Sequence, residues 1–123
     1  MISCIKCGKN THKWFTVDMC DDCREQLAMK GTEAILDLIR KERERQRKKF
    51  GDAAHDTYDT TRWLAVLMEE VGEAAQVSND EALGKLSPEH AERDLKAELV
   101  QVAAVAVAWL EAIERRNSIE KKG

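Results

Sequence analysis

Glu69, Glu70 and Glu73 fall within one run, Glu69-Glu70-Val71-Gly72-Glu73, and Asp94, Glu98 and Gln101 follow at spacings of four and three. Both stretches repeat apolar residues at helical period, and residues three or four apart on a helix share a face. The first three acids therefore occupy one arc of roughly 100°, and Asp94, Glu98 and Gln101 a narrower stripe on a second helix. Two carboxylate stripes facing each other in an apolar bundle are hard to explain by stability and make sense around a divalent cation. The other reading is solvated helix-surface glutamates paired with Lys or Arg. Magnesium takes one or two carboxylates together with waters and substrate phosphates, which suits an open acidic stripe. A glutamate left unligated, Glu69 or Glu70, is placed to accept a proton from an attacking water.

The elements that must carry these residues are helical. Asp59, Thr60 or Thr61 caps a helix expected to run to about Val77, with Trp63, Leu64, Leu67, Val71 and Ala74 apolar and Asn79-Asp80 at its end. Ser87-Pro88-Glu89 then opens a helix reaching about Arg116, with Ser87 as N-cap and Pro88 at the first helical position. Between Leu99 and Leu110 this helix is apolar on nearly every side except at Gln101, so it must be enclosed all round. So short a chain has few helices to enclose it, and a second copy is expected to help. The expectation is a homo-oligomer, with dimer and tetramer both open.

Upstream, Leu27, Ile35, Leu36, Leu38 and Ile39 recur at helical spacing, with a break expected at Gly31-Thr32 and Thr32 as a new cap. Arg40 to Lys49 carries seven basic residues among two acids. This run reads as a solvated helix end that suits the helix dipole, or as a grip for phosphates. Phe50-Gly51 ends the helix, and residues 51–60 read as a polar loop holding His55.

All four cysteines lie near the N-terminus, as Cys4-x-x-Cys7 and Cys20-x-x-Cys23. Paired knuckles of this spacing supply the four thiolates of a tetrahedral, structural Zn²⁺ site. The reading is a small Cys4 zinc ribbon or finger, whose metal replaces a core that so few residues cannot build. Zinc ribbons bind nucleic acid, bind protein or cap a neighbouring helix, and the sequence leaves these open. The organisation expected is a zinc module at 1–30, a linking charged helix at 31–50 and a helical domain at 51–123.

Composition narrows the class. The chain has 123 residues with a net charge of −3, which gives no global electrostatic case for nucleic acid. No apolar h-region follows Met1, and the longest apolar run, Val102 to Leu110, is too short to span a bilayer. A cytoplasmic protein without membrane contact is expected.

The two acidic motifs carry a resemblance. Trp63-Leu64-Ala65-Val66-Leu67-Met68-Glu69-Glu70-Val71-Gly72-Glu73, followed by Glu98-Leu99-Val100-Gln101-Val102-Ala103-Ala104, resembles the MazG-like branch of the all-α nucleoside triphosphate pyrophosphohydrolases. That family's pattern is Glu-Glu-x-x-Glu, a variable spacer, then Glu-x-x-Asp. The resemblance covers roughly residues 48–115 and omits the cysteine segment. It implies an all-α bundle completed by oligomerisation, and Mg²⁺-dependent release of pyrophosphate from a (d)NTP to leave the monophosphate. It implies Mg²⁺ ligation by Glu70, Glu73, Glu98 and Gln101, with Glu69 as the adjoining acid. Gln101 departs from the family's aspartate: an amide oxygen ligates Mg²⁺ but brings no charge, and Asp94 offers partial compensation. Trp63, Lys96 and His55 are candidate substrate contacts, although a tryptophan at that position also suits the core and surface lysines are common. The alternative function is a non-enzymatic module in which ribbon and basic helix engage nucleic acid or protein and the helices only associate.

Overall fold

The computed structural model describes residues 2–3, 10–11 and 21–122. It divides into two units, residues 1–37 and 38–123. In the first, a two-residue strand β1 (Ile2–Ser3) pairs antiparallel with β2 (Asn10–Thr11), Ile2 opposite Thr11 and Ser3 opposite Asn10. Cys4, Cys7 and Cys20, three of the four zinc ligands expected, lie outside the described residues, and Cys23 stands half-buried in the first turn of α1 (Asp21–Phe50). The remainder is all-α: the C-terminal part of α1, a one-turn 3₁₀ helix (His55–Thr57), α2 (Thr60–Ala82) and α3 (Pro88–Lys122).

Gly31-Thr32 does not break α1. Thr32 Oγ1 donates to the Ala28 carbonyl at 3.1 Å, so the hydroxyl bonds back into the helix it was expected to restart. The helix stops at Gly51, whose φ of 74° is the left-handed value that glycine adopts without a Cβ penalty. Its amide bonds the Arg47 carbonyl at 2.9 Å. Asp59 caps α2, its Oδ1 accepting from the Arg62 amide at 2.8 Å.

α2 runs beyond the end expected at Asn79-Asp80. Gln76 Nε2 donates to Asp80 Oδ1 at 2.8 Å, one turn on, so these polar residues extend the helix. The chain then reverses at Gly84 (φ 74°), where Gly84 N bonds Glu81 O and Lys85 N bonds Asp80 O, the paired bonds of a Schellman cap. Ser87 caps α3 as expected, its Oγ accepting from the His90 amide at 3.3 Å, and the helix continues past Arg116 to Lys122.

A connection this short makes α2 and α3 an antiparallel hairpin. The seam follows i, i+3, i+4 spacing on both helices. Trp63 and Ala74 of α2 and Ala91, Ala104, Val105 and Ala108 of α3 are buried, with Tyr58, Val66, Leu67, Trp109 and Ala112 packed around Trp63, Val105 and Ala108. Alanine dominates because it lets two backbones approach closely. The outer faces stay open: Leu64, Met68 and Val71 lie at i, i+4, i+7 on α2, and Leu99 and Leu110 on α3 are more than half exposed. The all-round enclosure expected of residues 99–110 is thus not achieved within one chain.

The basic run is not simply a solvated helix end. Arg43 is 2% exposed. Its Nε donates to Glu111 at 3.1 Å, its Nη1 to Gln46 at 2.8 Å and its Nη2 to Asp52 at 3.3 Å. Arg47 pairs with Glu111 and Asp52, and Arg115 donates to Asp56 at 2.7 Å. The run docks α1 and the following turn onto α3. Among the described residues no helix is long and apolar enough to cross a membrane.

Candidate metal and nucleotide site

Because α2 and α3 pair antiparallel, the acidic segment of one faces that of the other across the seam. Glu70 continues the α2 stripe through Trp63, Val66, Leu67 and Ala74, while Glu98 and Gln101 continue the α3 stripe through Ala91, Val105 and Ala108. Apolar residues would pack at these positions if packing alone mattered. One carboxylate oxygen from each of Glu70, Glu73 and Glu98 lies within 4.8 Å of the others.

Their electrostatics are those of acids without a counter-cation. Burial pushes Glu70 above the usual carboxylate range, and the negative fields of Glu73, Glu98, Glu69 and Glu42 push it further. Burial likewise raises Glu98, followed by a hydrogen bond with Glu73, that acid's charge and the charge of Asp94. Glu98 Oε2 is buried and has no hydrogen-bond partner. The half-buried carboxylates elsewhere contrast with these. Arg45 bonds Glu42 and holds it below the usual range, and at Glu111 burial is outweighed by Arg43 and Arg47. Among the described residues, arginines pair with those acids and none pairs with the triad. Three convergent oxygens with one buried orphan fit a hard divalent cation such as Mg²⁺.

The other expected residues are placed unevenly. Glu69 is exposed and stands outside the converging oxygens, acting through its field on Glu70. Asp94 also stands outside, and Arg93 Nε donates to its Oδ1 at 3.1 Å. Gln101 lies on the Glu98 face and lines a hollow together with Glu42 of α1.

Beside the triad is a cavity of about 400 Å³ that Glu70, Gln101, Arg45, His55, Tyr58 and Trp63 help to line. His55, Tyr58 and Trp63 form one aromatic cluster, with centroids 5.0 to 5.4 Å apart. Burial, then the Arg43 charge, lowers the His55 pKa and favours the neutral imidazole; its Nδ1 is buried without a partner. A second cavity, also about 400 Å³, lies against the same aromatics and reaches Trp109 and Arg115. Trp63 is a core residue, 3% exposed and stacked on Trp109, that also walls both cavities.

Lys96 lines a third hollow of about 530 Å³ with Lys41, Glu42, Arg45, Arg93 and Gln101. Sequence reasoning missed Glu42 and Tyr58, and reached Arg45 only as one of the basic residues of Arg40 to Lys49. The signal for Glu42 was present in its three-residue spacing from Arg45, which puts both on one face of α1, but the abundance of charge around them hid it.

Comparison of the chain with protein-family models, curated proteins and solved structures returns no match.

Proposed function

We propose that this protein is a Mg²⁺-dependent nucleoside triphosphate pyrophosphohydrolase, converting a (d)NTP and water to the (d)NMP and pyrophosphate. The observation that carries the reading is the convergence of Glu70, Glu73 and Glu98, with no arginine among the described residues paired to them, at the edge of an aromatic cavity. These three residues would hold the metal. Mg²⁺, when bound, neutralises phosphate charge and lowers the pKa of water.

The rest falls to the chain. Glu69, exposed beside Glu70 and outside the three converging oxygens, is left unligated to take the proton of the water that attacks the α-phosphorus. The bond to the pyrophosphate oxygen breaks as the new P–O bond forms. His55, Tyr58 and Trp63 offer flat apolar surface to a base, and Arg45 and Lys49, which line the same cavity, offer charge to the phosphates. Resemblance of the two acidic motifs to the MazG-like branch supports the same conclusion.

The exposed stripe Leu64-Met68-Val71, with Leu99 and Leu110, supports assembly of a homo-oligomer, dimer or tetramer. The Cys4 module at the N-terminus is assigned a structural zinc. Pyrophosphate release from a panel of NTPs and dNTPs, with and without Mg²⁺, tests the reading: metal-dependent release abolished by Glu70→Gln supports it, and release unaffected by that change refutes the site.

A further inference from the structure

Between Gly51 and Asp59 burial does little to fix the chain. Ala53, Ala54, Asp56 and Thr57 are exposed, and His55 and Tyr58 are half-buried. The backbone bonds are those of a single turn, Asp56 N to Asp52 O, Thr57 N to Ala54 O and Tyr58 N to His55 O, each at 3.2 Å. One turn of 3₁₀ helix is not stable by itself. Yet this segment supplies the His55 and Tyr58 rings that meet Trp63 and wall both cavities.

Side chains of α3 hold it instead. Arg115 donates from Nε and Nη2 to Asp56 Oδ1 at 2.9 and 2.7 Å, and its Nη1 lies 3.9 Å from Asp52 Oδ1. One guanidinium therefore bridges two acids four residues apart, with His55 between them. Glu111, one helical turn before Arg115, takes Arg43 and Arg47 of α1, and those arginines also reach Asp52. Two residues of opposite charge on one face of α3 thus seat the end of α1 and the turn that follows it. Asp56 and Arg115 line the second cavity and not the one beside Glu70, so they act on the Glu70 cavity only through the rings that both cavities share.

We propose that Asp56 and Arg115 are positioning residues whose ion pair sets the His55–Tyr58 wall against which the nucleotide base packs. This deepens the pyrophosphohydrolase reading and rests on it for the identity of the ligand. The side chains of Arg115 and Asp56 are 30% and 49% exposed, so their pairing adds little to global stability. Its loss leaves the fold standing and displaces a segment with few other ties. A wall that grips the base equally before and during reaction contributes to KM and not to kcat.

The test compares the full chain with Arg115→Ala, Asp56→Ala, their double mutant and Asp56→Asn. Proton NMR reads the His55 ring resonances, which the ring currents of Tyr58 and Trp63 displace and which are assigned by their absence in His55→Gln. Steady-state kinetics with Mg²⁺ and the most reactive nucleotide separates KM from kcat. Each alanine change should move the His55 ring protons towards free-imidazole positions and raise KM by about fivefold, with kcat within about twofold of the wild type. The double mutant should match the singles, because each removes the same pair. Asp56→Asn, which keeps an acceptor oxygen, should lie between, and it carries the test if an alanine variant does not fold. Arg116→Ala, on the same second cavity, should behave as the wild type. Ring protons unmoved by either alanine change overturn the proposal, as do losses that multiply in the double mutant or a fall in kcat at unchanged KM. A protein that turns over no nucleotide sinks the enzyme reading instead, and the ring-proton shifts then decide alone whether the pair positions the wall.

Discussion

Glu98 on α3 brings a carboxylate oxygen within 4.8 Å of one from Glu73 on α2, while Glu98 Oε2 is buried without a partner. The sign of the resulting pH dependence follows. Folding raises the pKa of Glu70 and Glu98 above the unfolded value, so the native state holds protons the unfolded chain has released. Their contribution is fully present below the ordinary carboxylate pKa of about 4.5 and is lost as pH rises through the raised folded values. In scanning calorimetry of metal-free protein, the wild type should therefore lose stability relative to Glu98→Gln as pH rises above the ordinary carboxylate value of 4.5. Millimolar Mg²⁺ should restore the wild type at pH 7 and leave Glu98→Gln unmoved. A difference independent of pH would contradict this account of the triad.

Arg43 holds α1 and the Asp52 turn to Glu111 from an almost fully buried position. Removing one partner of a buried ion network leaves the others desolvated and uncompensated. Arg43→Met should cost about 3–5 kcal/mol in urea unfolding. Lys48→Ala, which removes only the exposed pair with Glu44 at 3.6 Å, should cost less than about 1 kcal/mol. Equal effects would show that the burial of Arg43 is not what anchors α1.

The indoles of Trp63 and Trp109 stack with planes 5° apart and centroids 6.0 Å apart. Trp63 also meets His55 and Tyr58, so its loss opens the core and both cavities together. Trp63→Ala should destabilise by about 3–5 kcal/mol. Trp63→Phe, which keeps an aromatic ring, should recover most of that stability while raising the nucleotide KM. A variant with stability restored and KM unchanged would remove Trp63 from the nucleotide cavity.

Leu64, Met68 and Val71 form an exposed apolar stripe that no described residue covers. Light scattering on the full chain should give a multiple of 14.0 kDa, and Met68→Glu should shift the mass to that of one chain. A wild-type mass of 14.0 kDa at micromolar concentration would refute the oligomer.

The helices were legible because their signals are local. Asp59, Ser87-Pro88 and Phe50-Gly51 mark boundaries by capping chemistry that acts within one turn. The facing of Glu70, Glu73 and Glu98 was legible from helical spacing, since antiparallel pairing leaves few alternatives once Trp63 is set against Val105 and Ala108. The role of the basic run was not. Nothing in its composition tells Arg43, which faces α3, from Lys48, which faces water; that choice is set by Glu111, 68 residues away. The extension of α2 past Asn79-Asp80 was hidden similarly, because residues that favour turns also make i, i+4 bonds when a better cap lies ahead at Gly84.

The central claim is that this carboxylate site directs water to the α-phosphorus of a nucleoside triphosphate. Phosphorus NMR of the reaction in ¹⁸O-labelled water, with Mg²⁺ and the most reactive nucleotide of the panel, reads the bond broken and the atom attacked. The account predicts pyrophosphate and a monophosphate, with the label in the monophosphate alone. Inorganic phosphate and a diphosphate, or label in the pyrophosphate, would contradict it.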